Sequence, residues 1–214
     1  MYALPDIVFG KQDMRILLVL LLSLAFGAGL IVSGDGLPVR PGLFGAGLMV
    51  LAALATRRRW LLLADAAPGS PERALWIGFA GTAVVAAHLF AVMLRIGPNL
   101  IMHTPEIHAL GIDNWTLVAG AVIAHWIARD PEPRQDERDA AIAVAGLRAA
   151  HYGLLAMLAL QILALGFVRD GWVGALSHPS IAHALILAVM ASVLIDHGWR
   201  LHRYARDAAL DAAE

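Results

Sequence analysis

The chain has 214 residues, of which 59% are hydrophobic and only 15% are charged, and its mean hydropathy is +0.69. Soluble domains carry roughly a quarter charged residues, so this composition excludes an ordinary soluble protein and favours one that lies in a membrane. The net charge of −1 excludes the basic field that draws proteins to nucleic acid, and the absence of cysteine excludes disulfides, thiolate metal sites and cysteine nucleophiles.

Six apolar runs follow one another along the chain, each close to the roughly 20 residues that cross about 30 Å of hydrocarbon. They predict transmembrane helices over residues 15–33, 41–57, 74–97, 106–128, 147–168 and 179–200. Asp6 and Asp13 precede the first run and no small-x-small site ends it, which disfavours a cleaved signal peptide. The predicted fold is all-α: a polytopic membrane protein whose six helices form hairpins in a single domain over residues 1–214.

Capping residues predict where several helices begin. Ser70-Pro71-Glu72 and Thr104-Pro105-Glu106 each place a hydroxyl cap, a proline and an acid in the order that a helix start favours. Asp136 to Asp139 can cap a long fifth helix, and His178-Pro179 opens the sixth. Glycines cluster in the first two helices, where close helix packing explains them.

Residues 129–146 are the densely charged segment of the chain and are predicted to form a cytoplasmic loop. Thirteen of the sixteen Lys and Arg residues fall on the side that holds this loop and both termini. The positive-inside rule therefore predicts a multi-pass protein of the bacterial inner membrane with cytoplasmic N- and C-termini. The predicted interaction residues in this segment are Arg134, Asp136, Glu137, Arg138 and Asp139. Their alternating charges favour docking of a membrane or cytoplasmic protein partner, and the alternative is a solvated loop.

A spacing of 74 residues relates two parts of the chain. Arg95-x-Gly97, Pro105-x-Ile107 and Arg129 recur as Arg169-x-Gly171, Pro179-x-Ile181 and Arg203. The pattern predicts that helices three and four and helices five and six are two copies of one hairpin in the same orientation. Turn residues drawn from a small alphabet are the alternative explanation, and assembly into a homo-oligomer is left open.

The Asp136-Glu137-Arg138-Asp139 motif is followed by Ile142, and then by Arg148, His151 and Tyr152 as the chain enters a membrane span. This pattern resembles a signature in a family of small uncharacterised bacterial membrane proteins, which carry an Asp-Glu-Arg-Asp/Glu motif between two hydrophobic hairpins. The resemblance covers some twenty residues and the flanking hairpin layout. It implies a membrane fold built of hairpins and assigns no activity.

Few polar side chains are expected in the middle of the membrane. His88 is the titratable group nearest the centre of a predicted helix, and Gln161 is a polar residue within the fifth. Because ionisable residues at that depth are functional candidates, His88 favours a carrier of a small solute or of protons. The alternative is a neutral imidazole bonded to a neighbouring helix.

Histidines near the two faces of the membrane suggest a cofactor. His183 and His197 are fourteen residues apart, which places them about 40° apart around one helix and about 21 Å along it. This is the geometry of ligands to stacked haems, and the tentative haem b ligands are His125, His151, His183 and His197. Interfacial histidines with a polar edge in water are the alternative.

No sequence motif predicts an enzyme. There is no Gly-x-Ser-x-Gly, no phosphate loop and no His-Glu-x-x-His, and no metal or catalytic residues are assigned. The predicted function is a non-enzymatic accessory, regulatory or immunity-type membrane protein acting through helix packing and the charged loop. The alternatives are a b-type haem electron-transfer protein and a carrier that uses His88.

Overall fold

The computed structural model describes residues 11–32, 36, 39–62, 70–101, 104–130 and 136–211. Within these ranges the chain is all-α and contains no strand. Its helices are α1 (Lys11–Val32), α2 (Pro41–Leu62), α3 (Ser70–Ile96), α4 (Pro105–Ala128), α5 (Glu137–Phe167), the single turn α6 (Gly171–Gly174) and α7 (His178–Asp211). Five of them, α1, α3, α4, α5 and α7, are long and apolar enough to cross a membrane. The predicted all-α class is thereby confirmed, and the five long apolar helices are consistent with a multi-pass membrane protein.

The second helix differs from its prediction, because α2 is not among those five. Arg57, Arg58 and Arg59 lie in its last two turns, so only 16 uncharged residues separate Arg40 from Arg57. That stretch is shorter than the roughly 20 residues a membrane span requires. Six spans are therefore not confirmed: five helices have the length and apolar character of a span, and α2 packs against α4.

Two helix starts follow their predicted caps. The Thr104 hydroxyl accepts a hydrogen bond from the Ile107 backbone N–H at 3.3 Å, and Pro105 begins α4. Asp136 and Asp139 form a reciprocal capping box, in which the Asp139 N–H donates to Asp136 Oδ1 at 2.7 Å. Helix α5 consequently begins at Glu137, so residues 137–146 of the predicted loop are helical.

Helix α3 lies at the centre of the bundle and packs against α1, α4 and α7. Helix α2 lies on the outside of α4, and α5 lies on the outside of α7. The α3–α4 and α5–α7 hairpins are therefore packed pairs, as predicted. Helices α1 and α2 have few contacts with each other. Because α1 packs mainly on α3 and α2 mainly on α4, they do not form the predicted first hairpin.

Small residues allow the close contact between α2 and α4. A Cβ atom on Gly120 would lie 2.5 Å from Ala46 Cβ, and one on Gly42 would lie 2.5 Å from the Asp113 backbone. Neither position tolerates a side chain without separating the helices. The predicted packing role is confirmed for Gly42 and Gly45 of α2, whereas a Cβ on Gly47 would have nothing within 4 Å. Leu117 of α4, which contacts Gly45, is buried in the core cluster with Val84 and Val85 of α3.

The turn between α3 and α4 is fastened to the start of α7. Gly97 ends α3 with a φ of +87°, a conformation that favours glycine. The Ser180 hydroxyl donates to the Pro98 carbonyl at 2.6 Å, and the Ser177 hydroxyl donates to the Leu100 carbonyl at 2.9 Å. These bonds fix one end of the bundle, and most of the described Lys and Arg residues lie toward the other.

Candidate functional site

The starts of α1, α3 and α5 and the ends of α2, α4 and α7 lie at one end of the bundle, which we call the charged end. Ion pairs there join helices that are distant in sequence. The ion pairs are Arg73–Asp130 and Arg138–Asp207 at 3.0 Å, and His202 Nδ1 also lies 2.6 Å from Asp13 Oδ1. They connect α3 to the residues after α4, α5 to α7, and α1 to α7. The charged end is thus a network that ties the bundle together.

The five predicted interaction residues have different surroundings. Arg134 lies outside the described residues. Asp136 and Asp139 cap α5, and Asp139 also accepts a hydrogen bond from the Tyr204 hydroxyl at 2.6 Å. Arg138 donates to Asp207 on α7, whereas the Glu137 side chain is exposed. Arg138 and Asp139 therefore fix α5 to α7, Asp136 caps α5, and Glu137 is an exposed acid beside them.

A cavity of about 240 Å³, called the polar cavity below, lies inside the charged end. Helices α3, α4, α5 and α7 each contribute to its wall. The lining residues are Pro71, Ala74, Leu75, His125, Arg129, Asp139, Ala140, Ala143, His197, Arg200 and Tyr204. Two guanidinium groups, two imidazoles, a phenol and one carboxylate thus surround a small space in a chain that is mostly apolar.

His125 and His197 meet over Gly78 of α3. A Cβ atom on Gly78 would lie 3.5 Å from His125 Nδ1 and 3.5 Å from His197 Nε2. The two nitrogens are therefore separated by no more than twice that distance. The other ring nitrogen of His197, Nδ1, is buried without a hydrogen-bond partner among the described residues. A buried polar atom left in this state is costly, which makes the position a candidate for a ligand contact.

A second cavity, of about 300 Å³, continues from this histidine pair toward the middle of the bundle and is called the apolar cavity below. Its lining residues are Gly78, Thr82, Val85, Val118, Ala121, Val122, His125, Trp126, Met190 and His197. Val122 and Trp126 are 51% and 73% exposed, so the cavity opens at the side of the bundle. His125 and His197 line both cavities and mark the boundary between them.

The four tentative haem ligands do not gather in one place. His125 and His197 converge at the charged end, as described above. His151 is exposed on α5 and contacts the Tyr152 ring. His183 lies near the start of α7, where its Nδ1 is 2.7 Å from the Pro179 carbonyl oxygen of the same helix. The structure therefore brings together one pair of the four predicted histidines.

The predicted intramembrane polar residues both make contacts within the bundle. His88 is fully buried, with Nδ1 3.4 Å from the Asn114 side-chain oxygen and Nε2 without a partner among the described residues. The Gln161 amide donates to the Ala184 carbonyl at 3.1 Å and so joins α5 to α7. Neither residue lines the polar or the apolar cavity.

Sequence reasoning missed several residues that the structure places in polar networks. Asp113 is buried within α4 and accepts a hydrogen bond from Arg40 Nε at 3.2 Å, although no acid was expected deep in a span. Its position inside an apolar helix was the available signal. The last span was predicted to end at Arg200, whereas helix α7 continues to Asp211 and places both Arg200 and Tyr204 at the polar cavity.

The lining of the polar cavity suits an anionic ligand. Two arginines suit an anionic group, and the described residues contain no cluster of three His, Asp or Glu side chains that could hold a metal ion. No family model, no curated protein and no solved structure matches this chain. The geometry of the charged end is therefore the basis for the functional proposal.

Proposed function

We propose that this chain is a non-enzymatic protein of the bacterial inner membrane, of accessory, regulatory or immunity type, that works by binding at the charged end of its helix bundle. The observation that carries this proposal is the convergence of α3, α4, α5 and α7 on one polar cavity. Enclosing charged side chains costs free energy. A cluster of them inside an otherwise apolar bundle therefore indicates a functional site.

In the proposed arrangement α2 is a sixth crossing and the charged end faces the cytoplasm. The proposal that α2 crosses the membrane is supported by its close packing along α4. This packing would place the short apolar stretch of α2 in the same hydrocarbon layer as α4. The support for the orientation is that thirteen of the sixteen Lys and Arg residues fall at the charged end or in the segments that join it.

Single cysteines test the orientation cleanly, because the natural chain has none. In cells with an opened outer membrane, a membrane-impermeant maleimide is expected to label Ala175→Cys and not Glu137→Cys. Both positions are exposed in the structure, so accessibility to the reagent is limited by the membrane alone. Disruption of the inner membrane should then expose Glu137→Cys. The reversed pattern would overturn the proposed orientation.

The exposed acid of the Asp-Glu-Arg-Asp motif offers a test of docking to a protein partner. Glu137→Lys reverses a charge without touching the capping box or the Arg138–Asp207 pair. Glu106→Lys reverses an exposed charge at the opposite end of the bundle, where it also breaks an ion pair with Arg95, and is the control. We expect in-cell cross-linking to a specific partner to fall with Glu137→Lys and to persist with Glu106→Lys. Equal retention in both variants would refute docking at this position.

A single b-type haem is the second candidate, favoured by the convergence of His125 and His197 over Gly78. Imidazole nitrogens are common axial ligands of haem iron. Protein purified from haem-sufficient cells should then show a Soret band that is lost in both His125→Ala and His197→Ala. Protein that never shows a Soret band would eliminate this candidate and leave the binding proposal standing.

A further inference from the structure

We infer that the polar and apolar cavities form one site for an amphiphile with an anionic head group and an apolar tail. The inference rests on the proposed binding role of the charged end, but it does not depend on a protein partner. It follows from three features of the structure: an excess of cationic groups in the polar cavity, a lateral opening of the apolar cavity, and a boundary that both cavities share.

The polar cavity has more cationic than anionic capacity. Asp139, its one lining carboxylate, already accepts from the Tyr204 hydroxyl and from the Asp136 backbone N–H at the start of α5. Arg200 uses its Nε to bind Asp196 at 2.8 Å, which leaves its two terminal nitrogens for another acceptor. The Arg129 side chain forms no ion pair with another described residue. A phosphate or carboxylate between the two guanidinium groups would supply the missing acceptor.

The apolar cavity has the position that a tail requires. Helices α4 and α7 both pack on α3 but are not a closely packed pair, so a cleft runs between them with α3 as its floor. Val118 and Arg129 are eleven residues apart, about 16 Å along α4. A tail lying in the cleft would therefore extend well into the hydrocarbon layer while the head stays at the charged end. The exposed Val122 and Trp126 place the cleft's mouth toward lipid.

The two cavities meet at His125 and His197, where α3 presents Gly78. With no side chain at that position, the passage from head to tail is bounded by two imidazoles and bare backbone. A Cβ on Gly78 would already approach His197 Cε1 to 3.0 Å. The unpartnered His197 Nδ1 adds a polar atom at the level where the head of an amphiphile joins its tail.

Binding of defined amphiphiles to the full chain in detergent tests the inference. The probes are oleoyl lysophosphatidate, its zwitterionic counterpart oleoyl lysophosphatidylcholine, inorganic phosphate, and dioleoyl phosphatidate. Titration calorimetry should show saturable binding of lysophosphatidate, at least about tenfold weaker binding of lysophosphatidylcholine, and no saturable binding of phosphate alone. Binding of dioleoyl phosphatidate as well would identify a bilayer lipid as the source, and its failure to bind would identify a free single-chain amphiphile.

Matched variants locate the site. Arg129→Gln should weaken lysophosphatidate binding by about tenfold or more, the loss of one charge-assisted hydrogen bond, whereas Arg148→Gln on the exposed face of α5 should leave it unchanged. Val122→Trp should obstruct the cleft, whereas Ile123→Trp should not, although the two native side chains are 51% and 50% exposed. Equal binding of anionic and zwitterionic probes, or equal effects within either variant pair, would overturn the inference.

Glu137→Lys separates this inference from protein docking. Glu137 does not line either cavity, so the variant should bind lysophosphatidate as the natural chain does even if it loses its protein partner. Loss of amphiphile binding in Arg129→Gln with partner cross-linking intact would support the amphiphile site as an independent function of the charged end.

Discussion

The contact between α2 and α4 gives a quantitative test of the fold. In Gly120→Ala, the added Cβ would lie 2.5 Å from Ala46 Cβ and 2.6 Å from Ala46 Cα, both on α2. The second atom is backbone, so a side-chain rotation cannot relieve the clash and the two helices must move apart. Overpacking of this kind costs about 1–3 kcal/mol.

Gly111→Ala is the matched control, because Gly111 lies on the same helix and a Cβ there would have nothing within 4 Å. Both substitutions gain the helix preference of alanine over glycine, about 1 kcal/mol, so that term cancels between them. We expect Gly120→Ala to be less stable than Gly111→Ala by about 1–3 kcal/mol.

The measurement is the free energy of unfolding of both variants in mixed micelles, by denaturant titration followed with circular dichroism. A second variant, Gly120→Ala with Ala46→Gly, should recover part of the loss, since it removes the Cβ but leaves the Ala46 Cα position occupied. Equal stability of Gly120→Ala and Gly111→Ala would show that α2 does not pack on α4 as described, and would remove the support for a sixth crossing.

Three further substitutions test the polar contacts, each by the same unfolding measurement. Tyr204→Phe removes the hydroxyl that donates to Asp139 and should cost about 1–2 kcal/mol, while no loss would show that this bond does not hold α5 to α7. Asp113→Asn removes the charge that faces Arg40 and should cost about 1 kcal/mol, since Arg40 is half exposed; a stabilising effect would contradict the pairing. His88→Leu should change the free energy of unfolding by less than about 1.5 kcal/mol, because among the described residues the histidine has one long hydrogen bond and an unpartnered Nε2. A larger loss would show that His88 makes a stronger polar contact than these.

Several residues of the candidate site were predicted from the sequence, but the contacts between them were not. The charged segment and His125 and His197 were singled out from their residue types and positions. Their partners were not, because Arg200 is the last residue of the predicted span over residues 179–200 and Tyr204 lies beyond it. The haem hypothesis grouped four histidines by their height in the membrane. Rotation about the axis was compared only within one helix, between His183 and His197, and not between helices. In the structure His151 lies on an exposed face of α5.

The sequence by itself determined the helical class, the apolar character of five long helices and the residues that begin α4, α5 and α7. These properties depend on neighbours along the chain: runs of apolar side chains, capping hydroxyls and carboxylates, and prolines at helix starts. Only the tertiary structure decided that α1 packs on α3 and α2 on α4, and that four helices enclose the polar cavity. Those outcomes depend on which small residues let two backbones approach, as Gly120 and Ala46 do, and such complementarity exists only between surfaces that the chain brings together after its helices have formed.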